Sequence, residues 1–368
     1  YENYYLHIFN NTRRIIAQCD ASGERGLSGV MRIVQAYGTL MTTDAYGPIP
    51  YSSILSGENE VYFEFDSQKD LYKAMLEDLS TAITDISAMG ADEIAKLKSF
   101  DCWCNGDKDL WVKIANTMKL RMALRLSKRE TEAGNAGMNL KAIATEAAQN
   151  TLATVNKDIL IDKSLENEMW LMFNWGDCGF NANLVTIMSG TKDPRQPLYM
   201  TLNTGDIKNE AGTTTVAANS QYLGIRFASG LPAKPNSWGN FSGWIQGNNG
   251  SSYSMPLPIM KAAEAYFLLA EAKLRWDIGS ESVKNLYENG IRVSMTNELA
   301  YRGAYAGIKE TEQKLNEAKE EKKKTEEAIG DTKEEISSLQ GTVAGLQQQL
   351  SGLNEDLEEV SNNLADLE

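Results

Sequence analysis

The sequence predicts a mainly α-helical protein with long irregular loops and a C-terminal coiled-coil helix. Three observations predict it. Capped segments whose apolar residues recur at three- and four-residue steps fill residues 23–150 and 258–295. Between them, residues 151–255 turn to Asn, Gly, Ser and Thr with scattered aromatics and lose periodicity. From Ile308 onward a seven-residue apolar repeat takes over.

Taken in order, Gly23 to Thr43 is a long apolar-periodic run expected to be helical, and it ends in the turn Asp44 to Tyr51, DAYGPIPY. There Gly47 permits a positive φ and two prolines restrict their neighbours. This is first a shaped turn, although Tyr46 and Tyr51 are placed to reach a ligand. Asp66-Ser67 caps a second helix in which Leu71, Met75, Leu79 and Ile83 repeat every four residues. Asn105-Gly106-Asp107 then signals a turn and cap, with Asp107 and Asp109 set where the N–H groups of a first helical turn lack partners, so a helix starts near Lys108. Asn105, Asp107 and Asp109 alternate like calcium ligands, but the glycine and closing Glu of an EF-hand are missing, and capping is the better reading. Asp101 and Glu93 add little.

The stretch Leu110 to Ser127, LWVKIANTMKLRMALRLS, is read as an amphipathic helix. Leu110, Trp111, Ile114, Ala115, Met118 and Met122 form its core face. Arg121 and Arg125, four apart, leave from one flank, where they clamp carboxylates or carbonyls of a packed neighbour or, as the rarer alternative, contact a ligand. A helix over Leu140 to Asn150 follows. Pro258 is expected in the first turn of a helix from Ile259 to Trp276, and Ser280 caps another to about Met295. Helices joined by short connections resemble stacked helical hairpins.

In the tail, the a positions from Ile308 run through Leu315, Lys322, Ile329, Ile336, Val343, Leu350, Leu357 and Leu364, and the later d positions are Leu339, Leu346, Leu353, Val360 and Leu367. Gly330, Gly341, Gly345 and Gly352 fall outside this seam. At about 1.5 Å per residue a continuous helix here extends roughly 90 Å. A parallel in-register homodimer sets Lys314 near Lys319 and Glu321 near Glu326, both repulsive, so the first half favours another partner, an antiparallel arrangement or folding back.

Composition excludes several function classes. Residues 306–368 hold 7 Lys and 16 acidic residues, so −9 of the chain's formal −14 lies there. That balance, without a basic patch, argues against nucleic acid. With His7 the only histidine, a His-based triad or multi-His metal site is nearly excluded. Cys19, Cys102, Cys104 and Cys178 have neither zinc-knuckle spacing nor the density of a disulfide scaffold. No cofactor or metal is expected, and no apolar run is long enough to span a membrane.

The order and spacing of several motifs resemble the SusD/RagB family of nutrient-binding outer-membrane lipoproteins from Bacteroidetes. They are Asp44-x-Tyr46-Gly47-Pro48-Ile49-Pro50-Tyr51; Phe65-Asp66-Ser67-Gln68 before a helix reaching Asp78-Leu79; Gly106-Asp107 leading to Trp111 and Ala115-Asn116-Thr117-Met118-Lys119-Leu120-Arg121; and Ala263 to Ala272, AEAYFLLAEA, followed by Tyr287-Glu288-Asn289-Gly290-Ile291. The resemblance covers about residues 2–296. It implies a scaffold of TPR-like helical hairpins whose loops bind glycans or peptides outside the cell, without catalysis. It also implies an N-terminal lipid anchor beyond the sequence given, a place on the outer-membrane surface, and a SusC-like TonB-dependent transporter as partner. On this reading residues 1–296 are the nutrient-binding domain, lacking the family's N- and C-terminal ends, 297–305 are a junction, and 306–368 are the heptad coil. Related sequences continue past Gly290–Met295 with Trp- and Arg-rich motifs, whereas this chain switches to the heptads, as a natural fusion or a chimera, with a possible coiled-coil partner there.

Glycan recognition needs flat aromatic faces for the C–H side of a sugar ring and planar amide or carboxylate groups for its hydroxyls. The loop region supplies both, in Asn174-Trp175-Gly176-Asp177 and in Trp238-Gly239-Asn240-Phe241-Ser242-Gly243-Trp244, with Tyr253 nearby. The candidate ligand contacts are therefore Asn174, Trp175, Asp177, Trp238, Asn240, Trp244 and Tyr253, and core or loop-anchor roles compete at each Trp. Two other functions stay open: a glycoside hydrolase, which needs two carboxylates flanking a groove, and a coiled-coil scaffold.

Overall fold

The computed structural model describes residues 2–55, 63–161, 178–209, 211–228, 240–244, 256–306 and 309–365; towards the end, side chains are described up to 301, over 322–353 and at 355. It divides into two compact units, Tyr1–Gly307 and Ile308–Glu368.

The first unit begins with a π-helical stretch, Tyr4–Phe9, that runs into α1, Asn10–Ser22. α1 lies antiparallel to α2, Arg25–Tyr46: Tyr4 meets Thr39 (2.7 Å), Thr12 donates to Gln35 (2.9 Å), and Asp20 pairs with Arg32 (2.9 Å). Past the two-residue strand β1, Ile49–Pro50, the short α3, Ser52–Leu55, and β2, Phe65–Asp66, which pairs antiparallel with β1, comes α4, Gln68–Ser87. Ser67 caps α4 by accepting from the Asp70 N–H, as its sequence predicts. α4 runs antiparallel to α2, with Gly29 against Ala82 and Ile86, Arg32 on Asp78 (2.8 Å) and Asp44 on Tyr72 (2.6 Å). Gly29 matters because a Cβ there would stand 3.1 Å from the Ala82 carbonyl oxygen; without one the two backbones close on each other.

After α5, Ala91–Phe100, the chain forms α6, Lys108–Arg125, where Asp107 accepts from the N–H groups of Asp109 (3.0 Å) and Leu110 (3.2 Å). The helix begins where the capping signal places it. It is not amphipathic, however: beside the expected core face, Val112, Asn116, Thr117, Lys119, Leu120, Ala123 and Leu124 are also buried. A helix enclosed on nearly all sides needs charge partners for its cations. α7, Glu130–Asn135, and α8, Leu140–Ala147, follow; Leu120, Ala123 and Leu124 pack with Ala144, Ala147, Ala272 and Ile278 in a satellite of the main core.

Two carboxylates dismissed from the sequence prove structural. Glu93 accepts from the N–H groups of Gly26 (3.0 Å) and Leu27 (3.3 Å), satisfying the open first turn of α2. Asp101 gathers the N–H groups of Trp103, Cys104 and Gly106 and the Trp111 indole N–H, all at 2.8–3.0 Å, and fixes the turn before α6. Burial, with Asp101 and Asp107 nearby, pushes the Cys104 thiol far above its ordinary pKa, so it is an inert core group.

The loop region holds short elements: β3, Ile159–Ile161; α9, Ala182–Gly190; α10, Gln196–Tyr199; β4, Met200–Asn203; β5, Ile207–Lys208; β6, Thr214–Val216; and β7, Ser242–Trp244. Pro258 corrects an expectation. It lies in β8, Leu257–Met260, opposite Leu160 of β3, and not in a first helical turn. In a two-stranded ribbon a proline costs no inner ladder bond. α11, Ala262–Trp276, starts after it, with Asp158 accepting from the Ala262 N–H (2.9 Å). α12, Val283–Ala306, is capped not at Ser280, as expected, but at Ser282, which accepts from the Asn285 N–H, and it runs well past Met295. It lies antiparallel to α11, with Phe267 against Gly290 and Tyr287 and Lys261 paired with Glu298. Asn297 donates to Asp158 (2.8 Å), and the helix continues to Ala306.

The second unit is a single helix, α13, Lys309–Ala365, of 57 residues. No described helix is long and apolar enough to cross a membrane.

Candidate functional site

The Asp44–Tyr51 turn is built from the end of α2. The Gly47 N–H closes the helix on the Thr43 carbonyl (2.8 Å), and its φ of 79° supplies the reversal that the sequence predicts for a glycine. Asp66 then accepts from the Tyr51 (2.9 Å) and Ser52 (2.8 Å) N–H groups, pinning the turn. Tyr51 does not reach outward. It is 4% exposed, accepts from Gln35 (3.0 Å) and donates to Asp78 (3.2 Å); burial and the Asp78 charge drive its phenol pKa far upward. Tyr46 is the exposed member, at 61%.

Beside this turn a cleft of about 460 Å³ opens between α2, α4 and the end of α6. Asp44, Gln68, Lys69, Tyr72, Arg125, Arg129 and Glu132 give it polar walls, and Leu126, Ala133 and Met138 an apolar patch. Asp44 accepts from the Tyr72 hydroxyl and pairs with Arg125; Glu132 pairs with Arg129 (2.8 Å). Both carboxylates are paired to guanidinium groups, and the cleft offers hydrogen bonds and charge. Lys69, Arg129 and Glu132 are not among the residues predicted, because nothing local marks helices that converge only in the fold.

The two arginines singled out on α6, and the buried Lys119 beside them, find carboxylates. Arg121 holds Glu264 of α11 through two bonds, Nε to Oε1 (2.6 Å) and Nη2 to Oε2 (2.7 Å). Arg125 takes Asp44, and Lys119, 2% exposed, reaches Glu146 (3.0 Å). This is the clamp on packed neighbours that the four-residue spacing predicts.

Of the predicted ligand contacts, Asn174, Trp175, Asp177, Trp238 and Tyr253 lie outside the described residues. Asn240 and Trp244 lie within them. Asn240 donates to the Asp206 carbonyl (3.1 Å), and its own carbonyl accepts from the Gly205 N–H (3.3 Å), which ties two loops together. Trp244 sits on β7 opposite Met200 of β4, is 9% exposed, and stacks on Phe180 with ring centroids 6.2 Å apart. With Val185 and Met188 it makes a small core under the loops, so of the two roles weighed for it, ligand platform and loop anchor, its packing is that of the anchor.

Asn203 is the residue missed there. Fully buried, it accepts from the N–H groups of Ser220 (3.0 Å) and Gln221 (3.1 Å) and donates to the carbonyls of Gly205 (3.0 Å) and Ala217 (2.7 Å). One amide thus knots residues 203–221, and no sequence signal separates it from the other loop asparagines.

Comparison with known proteins places these features in a wider set. A family model described as SusD-like, Susd and RagB outer membrane lipoprotein, matches residues 1–348, beyond the 296 residues of the motif resemblance and into the heptads. Among solved structures, a SusD-like protein from Bacteroides thetaiotaomicron is 28% identical with a TM-score of 0.60, over 77% of this chain and 57% of that one. A SusD homologue from Bacteroides ovatus is 29% identical with a TM-score of 0.59, over 78% and 54%. A chitin-binding SusD homologue from Flavobacterium johnsoniae is 25% identical with a TM-score of 0.65, over 81% and 58%. The chain therefore corresponds to somewhat over half the length of these structures. No curated protein matches it.

Proposed function

Since the chain belongs to the SusD and RagB family of outer-membrane lipoproteins, we propose that it binds glycans at the cell surface and delivers them, without chemistry, to a partner TonB-dependent transporter. Family membership over residues 1–348 is the observation that carries the reading. The chitin-binding homologue of the same fold makes β-linked amino sugars the first ligand class to try. A lipid anchor would hold the protein at the outer membrane, as the family's description implies.

The binding surface is proposed on the loops that the Trp244–Phe180 core and the Asn203 knot support. Trp175, Trp238 and Tyr253 would stack on sugar rings, and Asn174, Asp177 and Asn240 would bond hydroxyls. The test is a glycan array that includes chitooligosaccharides, followed by titration of the best ligand. Trp175→Ala and Trp238→Ala are each expected to weaken binding about tenfold, the loss of one stacking contact. Unchanged affinity in both variants overturns the loop assignment, and release of reducing ends from any ligand favours a glycoside hydrolase instead.

A further inference from the structure

The long helix α13 leaves its heptad seam bare. Ile329, Ile336, Val343 and Leu350 at a, and Leu339, Leu346 and Leu353 at d, are each between 49% and 65% exposed. Single exposed apolar residues are ordinary; seven on one stripe of one helix are not. Between Ile336, Leu339, Val343 and Gln347 the stripe forms an apolar groove of about 290 Å³, the form of hole that a partner's knob fills.

Three properties of the segment select its occupant. Its a positions carry β-branched Ile or Val up to Val343 and its d positions Leu from 339 on, the alternation that favours two parallel strands, with a facing a and d facing d. Its flanks carry no matched charges to repel a copy. In a parallel, in-register pair the g to e′ contacts join Ala328 to Lys333, Glu335 to Gln340, Thr342 to Gln347 and Gln349 to Asn354, so no like charges meet. A heterologous partner selected by charge would find only Lys333 and Glu335 to read on flanks otherwise made of Ala, Gln, Thr and Asn. Finally, Thr332, the polar d residue, already donates to the Ala328 carbonyl (2.8 Å), so facing its counterpart leaves no hydroxyl hydrogen stranded.

We propose that residues 329–353 pair with the same segment of a second copy in a parallel, in-register, two-stranded coiled coil. The repulsive Lys314–Lys319 and Glu321–Glu326 contacts, and Lys322 at an a position, argue against the pairing extending towards the N-terminal end of the tail. The inference is independent of what the first unit binds.

Sedimentation equilibrium of the full chain at micromolar concentration tests it. The expected mass is twice the 40.7 kDa of one chain, and Val343→Lys with Leu346→Lys is expected to return the monomer. Both side chains are exposed in the single copy, at 52% and 59%, and every Trp precedes residue 308, so the near-ultraviolet circular dichroism of the first unit is expected to stay unchanged. Ile336→Cys fixes the orientation, because in register its Cα faces its counterpart within disulfide reach. Oxidation is expected to yield a cross-linked dimer absent from the parent chain. A monomer at all concentrations, an assembly of other than two chains, a dimer that survives the double substitution, or a dimer that gains no cross-link at residue 336 each overturns the proposal. The first would leave the seam to a different protein and the last would mean an antiparallel pair.

Discussion

At the scale of single residues, the charges of α6 act within the protein. The paired bonds from Arg121 to Glu264 need the planar fork of guanidinium, and Arg121 is only 13% exposed. Arg121→Ala is expected to lower stability by about 1–3 kcal/mol, and Arg121→Lys to recover only part of that, read as a lower urea midpoint with unchanged slope. Glycan affinity of the folded variant should not move. Asp193 gives a pH signature. Burial opposes its ionisation, but the side-chain and backbone bonds and charge of Arg195 outweigh burial and hold its pKa below the ordinary carboxylate value; Arg195 in turn bonds Ser294 of α12 (2.8 Å). The stability this pair contributes is present above the unfolded carboxylate pKa of about 3.9 and is lost as pH falls through the lower folded value. Asp193→Asn should therefore be less stable than the parent at pH 7 and converge with it only as the pH falls through that lower folded value, read in thermal melts. Arg121 and Arg125 were legible as clamps because four-residue spacing is local. Glu93 and Asp101 were not: Glu93 caps a helix 67 positions away, and only the fold brings that open turn to it.

At the scale of elements, two caps read well, a third fell two residues early at Ser280 where Ser282 does the capping, and the surroundings read poorly. Ser67 and Asp107 act where short-range chemistry puts them. Pro258 misled because a proline fits both the first turn of a helix and an edge strand, and its partner strand, Ile159–Ile161, lies about a hundred residues earlier. The enclosure of α6 was hidden for a related reason: its buried Asn116, Thr117 and Lys119 look like a solvated face until the neighbours that cover them are known. The α2–α4 pair yields a prediction in which packing beats propensity. Gly29→Ala should gain up to about 1 kcal/mol of helix propensity, yet its Cβ meets Ala82 backbone at 3.1–3.2 Å and Ile86 at 3.1 Å. A net loss of about 1–3 kcal/mol is expected in denaturant unfolding, because helix backbone yields less readily than a side-chain tip.

At the scale of the whole molecule, the helical architecture was legible because its motifs are ordered along the chain and periodic. The binding surface was only partly so. Composition marked residues 151–255 as the place where aromatics and amides concentrate, but could not sort anchor from platform, and Trp244 shows why: Trp fills a core as readily as it stacks on a sugar. Asn203, with four bonds inside one loop system, illustrates the same limit for amides. The single histidine argued early against His-based catalysis. Should the tail pair two copies, polymeric ligands would be held at two sites at once and short oligosaccharides at one, so dissociation from a polymer should quicken markedly in the Val343→Lys, Leu346→Lys variant. The central claim, binding without turnover, is tested most directly by calorimetric titration of the full chain with chitooligosaccharides and the other hits of a glycan array, with the same samples assayed afterwards for new reducing ends. Saturable binding of at least one glycan with no new reducing ends is the result the account predicts; failure to bind any glycan, or release of reducing ends, would contradict it.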